Sequence, residues 1–153
     1  MKQKINICIY LLAMIFVFVL IDRATKIYMS ELLSLGGSVV VIKNFLSLTL
    51  VHNQGIAFGL LKPYNAVLSG FVLIILITVF SFTVHEFRKL SILDKISSAM
   101  IIGGGASNLF DRFSYGHVID FIDFHVWPVF NFADIFICTG FLIVSVRMYQ
   151  KQM

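Results

Sequence analysis

The chain has 153 residues, 59% hydrophobic and 13% charged, with a formal net charge of +4 and a mean hydropathy of +0.93. A soluble domain carries about a quarter charged residues, so the composition excludes an ordinary soluble fold and places a single domain, 1–153, in a bilayer. The 12 basic residues form no cluster or stripe, which argues against nucleic acid as a partner and leaves the charge to be read as topology.

A helix needs about 20 residues to cross the hydrocarbon. The first candidate is "INICIYLLAMIFVFVLI", free of charge, with a span expected over 5–24. "MKQK" ahead of it has the look of a signal-peptide n-region. The apolar run, however, is longer than a cleavable h-region and ends in "DRATK" rather than a small-x-small site, so an uncleaved span is expected. Asp22 and Lys26 are four apart, the spacing of an ion pair on a continuing helix. The loop over 34–60 contains "SVVVIKNFLSLTLV", β-branched and alternating, with "KN" as a turn, and predicts a small β-rich element.

A second span is expected over 64–84, "YNAVLSGFVLIILITVFSFTV". The third, over 94–110, is shorter and Gly-rich, and Gly103, Gly104 and Gly105 suit close helix approach. It ends in "SNLFDR". Arg112 suits the negative end of a helix and Asp111 does not, so the two are expected in a polar network. "GHVIDFIDFHVW" follows. If it is extended, Asp120 shares a face with Val118, Ile122 and Phe124, while Asp123 turns to the other face with His117 and His125. The fourth span is expected over 134–150. Asn131 and Asp134 have capping-box spacing at its start. Cys8 and Cys138 lie in separate apolar runs without metal-binding spacing and read as buried small hydrophobes.

Basic residues near the span ends orient the chain. Lys2 and Lys4, then Arg88, Lys89 and Lys95, then Arg147 and Lys151 fall on one side, so both termini are expected in the cytoplasm. The polar motifs then gather at the opposite face, where ionisable groups at membrane depth point to function. Asp120 and Asp134, two acids at one lip in different surroundings, fit an acid and a base that share a proton and cleave a peptide with water. Paired acids also serve ion and proton pathways, so a small four-helix proton-coupled transporter is the alternative. A zinc peptidase using His52, His117 and His125 lacks any HExxH pattern, and His85 falls on the wrong side.

Five motifs in order, "DRATK" (22–26), "HNQGIAFG" (52–59), "SNLFDR" (107–112), "GHVIDFID" (116–123) and "FNFAD" (130–134), make the chain resemble the lipoprotein signal peptidases (signal peptidase II) over nearly its whole length. The resemblance implies an α-helical integral membrane protein with four transmembrane helices and a small β-rich extracytoplasmic cradle. It implies an aspartic endopeptidase of the bacterial cytoplasmic (inner) membrane, active near the extracytoplasmic face. Its substrate would be a diacylglyceryl-modified prolipoprotein, cut before the lipidated cysteine, with membrane lipid as its surroundings. By motif, Asp120 and Asp134 are then the catalytic pair. Asn53, Gly55, Asn108, Arg112 and Asn131 match positions that hold substrate, and Asp22, Lys26 and Asp111 form a structural polar network. A monomer without metal or cofactor is expected. The family usually has Gly where this chain has Ser107.

Overall fold

The computed structural model describes residues 2–34, 37–55 and 65–150. Residues 56–59 of the expected "HNQGIAFG" motif, Lys62, and Tyr64 at the expected start of the second span lie outside the described residues. The elements in chain order are α1 (Lys2–Leu32), β1 (Ser38–Ile42), β2 (Leu46–Asn53), α2 (Asn65–Glu86), α3 (Ile92–Tyr115), β3 (Val118–Asp123) and α4 (Phe132–Gln150).

No Gly or Pro interrupts residues 2–32, so α1 continues through "DRATK" for 31 residues. At about 1.5 Å per residue that is roughly 46 Å, well beyond a hydrocarbon core of about 30 Å. The expected span over 5–24 is thus the middle of a longer helix, and Asp22 and Lys26 keep their i,i+4 relation. Helix α3 starts on a capping box, in which Ser91 Oγ accepts from Asp94 N and Ser91 N donates to Asp94 Oδ2. It stops at Gly116, whose φ of 74° is the left-handed C-terminal cap.

Among the described residues, three helices are long and apolar enough to cross a membrane: Asn6–Leu32, Ala66–Glu86 and Phe132–Gln150. Helix α3 is not in that class, because its place is different. It is the axis on which α1, α2 and α4 pack, and its buried residues include Ser97, Ser107, Asn108 and Asp111. Lipid-facing side chains such as Phe16, Phe71, Ile74 and Leu142 are exposed on the outer three helices.

Three consecutive glycines make this packing possible. Successive residues point about 100° apart around a helix. A Cβ on Gly103 would meet Phe18 and the Ile15 carbonyl of α1, one on Gly104 would meet the Ala133 carbonyl of α4 at 2.5 Å, and one on Gly105 would meet Leu76 of α2 at 2.6 Å. Each glycine therefore receives a different helix. Gly140 of α4 returns the contact, with its Cβ position 2.8 Å from the Ser97 carbonyl.

The sheet has the order β1-β2-β3, antiparallel throughout. The expected turn at Lys43–Asn44 is present, with Asn44 at φ 58° and Phe45 N donating to Ile42 O at 3.0 Å. "HVIDFID" is extended as expected and becomes β3. Alternation fails at one point: Phe121, on the face opposite Asp120, is 1% exposed because it packs near the Phe132 ring. After β3 the chain loops back, and Phe130 pairs with Ile122 through two backbone hydrogen bonds of 2.8 and 3.1 Å. That return sets the start of α4 beside β3.

The glycines should rank by what they touch. Gly104→Ala drives a methyl into backbone and is expected to cost about 1–3 kcal/mol, whereas Gly105→Ala meets only the end of a leucine and should cost less. Thermal unfolding of both variants in the same detergent checks the order; an equal or reversed loss contradicts it.

Candidate active site

The buried polar groups form one connected network where α1, α3, α4 and β3 meet. Lys26 is fully buried. Its Nζ lies 2.8 Å from each of Asp22 Oδ2, Asp111 Oδ2 and Asn108 Oδ1, so all three ammonium hydrogens have an acceptor. Asp111 also pairs with Arg23 and accepts from Ile119 N at 3.2 Å, tying β3 to the end of α3. Asp22 accepts from Ala133 N at 2.8 Å, so a carboxylate of α1 satisfies an otherwise orphaned donor in the first turn of α4. Ser107 Oγ donates to Asp22 Oδ2 at 2.6 Å, a hydrogen bond that a glycine could not make. Asp22, Lys26 and Asp111 thus lie in one connected cluster of charges that also takes in Arg23. Sequence reasoning left Arg23 out of this network, although a helix continuing through "DRATK" places it just under one turn from Lys26.

Asn131 joins this network to the two acids. It caps α4 as its spacing predicts: Asp134 N donates to Asn131 Oδ1 at 3.0 Å, and Asn131 N donates to Asp134 Oδ2 at 3.2 Å. Its side-chain amide also donates to Asp120 Oδ1 at 2.7 Å and to Asn108 Oδ1 at 3.0 Å. Asn108 Nδ2 in turn donates to Asp134 Oδ1 at 2.8 Å. On the sheet side, Asn53 lies diagonally across the β2–β3 pairing from Asp120 and donates to its Oδ2 at 2.9 Å. Gly55 N closes an Asx turn on Asn53 Oδ1 at 3.0 Å.

Asp120 and Asp134 line one cavity of about 270 Å³ together with Asn53, Asn108, Arg112 and Trp127. Two further lining groups, the Gly55 backbone and Cys138, also reach it. Arg112 Nη2 donates weakly to Gly55 O at 3.4 Å, and Arg112 Nε is buried with no hydrogen-bond partner among the described residues. Asp120 is 2% exposed. Burial pushes its carboxyl up to about 7, and the neighbouring Asp134 carboxylate adds to the rise. The Asn53 hydrogen bond, the Lys26 charge and the Asn131 hydrogen bond act the other way.

The remaining candidates lie elsewhere. Asp123 accepts from His125 N at 2.7 Å, away from the cavity. His52 and His117 rings approach to 4.2 Å, while His125 lies against Ser47; among the described residues no three potential ligands converge on a metal position. The transporter alternative needs acids in mid-span, but Asp134 is the third residue of α4 and Asp120 is on a strand. Cys138 is exposed and Cys8 partly so. Both differ from the buried hydrophobes expected: Cys138 borders the open site cavity, and Cys8 is left partly uncovered on α1. Cys138 could have been found one turn beyond Asp134, on the same face.

This arrangement belongs to a known class of membrane enzyme. The family model for signal peptidase (SPase) II matches residues 14–150. The chain is 38% identical over 139 residues to a lipoprotein signal peptidase of Pelotomaculum thermopropionicum, covering 89% of each chain. It is 32% identical over 140 residues to that of Halothermothrix orenii, covering 90% of this chain and 94% of the relative. Among solved structures it is similar to a bacterial membrane enzyme determined by the in meso method at 2.3 Å, with TM-score 0.77, 26% identity and coverage of 94% of this chain and 89% of that one. The chain belongs to the signal peptidase II family and is a peptidase.

The raised Asp120 carboxyl has a consequence for stability. A free aspartate titrates near 3.9, and in the fold it titrates near 7. The native state therefore holds a proton that the unfolded chain has released, and the stability tied to Asp120 is full below about pH 4 and lost as pH rises through about 7. Relative to Asp120→Asn, the melting temperature of the unmodified protein should fall between about pH 4 and 7 and level off above. Parallel curves for the two proteins would contradict the assignment.

Proposed function

We propose that this protein removes the signal peptide from diacylglyceryl-modified prolipoproteins, cutting before the lipidated cysteine, by aspartic-peptidase chemistry at Asp120 and Asp134. The observation that carries this reading is the side chain of Asn131. It donates to Asp120 while its backbone and side chain engage Asp134, which fixes the two carboxyl groups on one small cavity in a chain of this family.

The roles follow from the surroundings. Asp134 stands in the first turn of α4, where helix N-terminal donors favour negative charge, and accepts from Asn108 and Asn131. Asp120, whose carboxyl burial pushes up to about 7, is the acid assigned the shared proton in the reactive state. The cavity has room for a water molecule of about 30 Å³ and a peptide. Asp134 takes a proton from the water as its oxygen attacks the scissile carbonyl carbon, and Asp120 gives its proton to the carbonyl oxygen. Asp134 then gives its proton to the amide nitrogen while Asp120 takes one back from a hydroxyl of the gem-diol, so that the C–N bond breaks, a carboxylic acid and an amine leave, and both acids return to their starting states. Arg112, with its unpartnered Nε, and Asn53 hold the peptide backbone by hydrogen bonds. Both catalytic roles are filled by carboxyl groups, so chelators should leave the rate unchanged.

For topology, α3 is the fourth membrane span, enclosed by the other three, within a single domain acting as a monomer. Lys89 and Arg147 lie toward the cytoplasmic end with both termini, and the sheet and the acids lie near the extracytoplasmic face. Trp127 is 65% exposed and Val126 89% exposed, suited to the interface with lipid. A buried acyl CH₂ contributes about 0.8 kcal/mol, so two chains on the cysteine hold the adjacent peptide bond at the depth of the acids.

Asp120→Asn and Asp134→Asn should each lower kcat by about 10²–10⁴-fold while leaving thermal unfolding cooperative. Cleavage of a purified precursor measures this, and full activity in either variant removes that residue from the mechanism. The same precursor without its diacylglyceryl group should be cleaved very poorly at equal enzyme. Equal rates with and without lipid would refute the lipoprotein reading even if both aspartates proved essential.

A further inference from the structure

Two apolar grooves flank α2. One lies between α2 and α3, lined by Leu73, Phe110 and Phe113. The other lies between α2 and α4, a cavity of about 420 Å³ lined by Phe82, Ser98, Ile101, Phe141 and Met148, and bounded by Asp94 and Arg147. The second runs along the same faces of α3 and α4 that carry the active site. On α4, Asp134 and Cys138 line the site cavity, and Phe141 and Met148 line the groove. The steps of four, three and seven residues keep all four on one helix face. On α3 the same holds for Arg112 and Asn108 in the site and Ile101, Ser98 and Asp94 in the groove.

The groove is apolar even where its sequence is not. Thr83 Oγ1 donates to Val79 O at 2.7 Å, and Ser98 Oγ donates to Asp94 O at 2.9 Å. Both hydroxyls are turned back into their own helices, and methyl and methylene surfaces face the groove. Near its far end stands the ion pair of Arg147 Nε with Asp94 Oδ1 at 2.5 Å. From Asp134 to Arg147 is 13 residues of α4, about 20 Å of helix.

We propose that this groove seats the apolar segment of the substrate's signal peptide as an additional helix against α3, and that the Asp94–Arg147 pair sets its length at about 13 residues counted back from the scissile bond. The proposal rests on the function proposed above. The occupant follows from connectivity: the chain cut between Asp120 and Asp134 leaves the cavity on its N-terminal side, and that side of a signal peptide is an apolar run of about 7–15 residues. A helix of that length fills the groove and ends at the ion pair. One more turn, about 5.4 Å, would carry apolar side chains onto two charges.

The test uses the full chain in lipid nanodiscs with a lipidated precursor. In an Asp120→Asn background, a photoreactive benzoylphenylalanine at Phe141 should cross-link the precursor near its cysteine, and one at Met148 should cross-link it nearer the N-terminus. The same probe at Leu73 or Phe113 should give no cross-link to the apolar segment. In otherwise unmodified enzyme, Val144→Trp, which fills the groove, should raise KM about tenfold with kcat within about twofold. Lengthening the apolar segment by four residues should do the same. Cross-links from Leu73 or Phe113 in place of Phe141 and Met148 overturn the groove assignment and leave the function standing, provided that unmodified enzyme cleaves the precursor. An unchanged KM with the longer segment overturns the length-setting role. If unmodified enzyme does not cleave the lipidated precursor, the function and the groove's occupant fall together.

Discussion

The structure depends on one buried ammonium. Lys26 sits among Asp22, Asp111 and Asn108 with no exposure, and through those three side chains it fixes α1 to α3. Taking charges out of water costs several kcal/mol per ion even after relaxation. The network meets that cost by neutrality: Lys26 and Arg23 supply two positive charges, and Asp22 and Asp111 supply two negative ones. The outer ends of the same carboxylates do the positioning. Asp111 holds the backbone of β3 at Ile119, and Asp22 holds the backbone of α4 at Ala133. The strand that carries Asp120 and the helix that carries Asp134 are thus both aligned on the charges around Lys26.

From there the polar arrangement grades outward. The Lys26 ammonium is buried, and each of its hydrogens has an acceptor. The Asn108–Asn131 pair is buried but made of neutral amides that both donate and accept, so it carries order from the ion cluster to the acids without adding charge beside them. Asp120 and Asp134 border the cavity. Ser107 strengthens the innermost layer with a hydroxyl that reaches Asp22. In this chain, therefore, the position after Ala106 contributes a bond as well as space.

Much of this was legible in the sequence, for identifiable reasons. Asp22–Lys26 and Asn131–Asp134 are local pairs whose geometry is dictated by one helix turn, so spacing alone finds them. The β-hairpin at "KN" and the extended "HVIDFID" follow from alternation. What spacing could not supply was the direction in which a side chain reaches beyond its own element. Arg23 pairs with a residue 88 positions away, and Asn53 reaches Asp120 only because β2 and β3 pair in a register that bulges between Leu48 and Val51. The cysteines are not the buried hydrophobes expected because an apolar run does not show which of its faces neighbouring elements cover and which a cavity leaves open. The same ambiguity hides the character of α3, whose polar residues look like a weak span and are in fact the interior of the bundle.

The capping box at Asn131 couples two things usually separate. The amide that lets α4 begin is the amide that holds Asp120, and the carboxylate that completes the box is Asp134 itself. If the first turn of α4 frays, the cap opens and the acids lose their common support in the same motion. A partly assembled chain, still being inserted or not yet packed on α3, would then carry both acids and yet be inert toward neighbouring proteins. On the proposed mechanism, folding of one helix end thus gates both acids together.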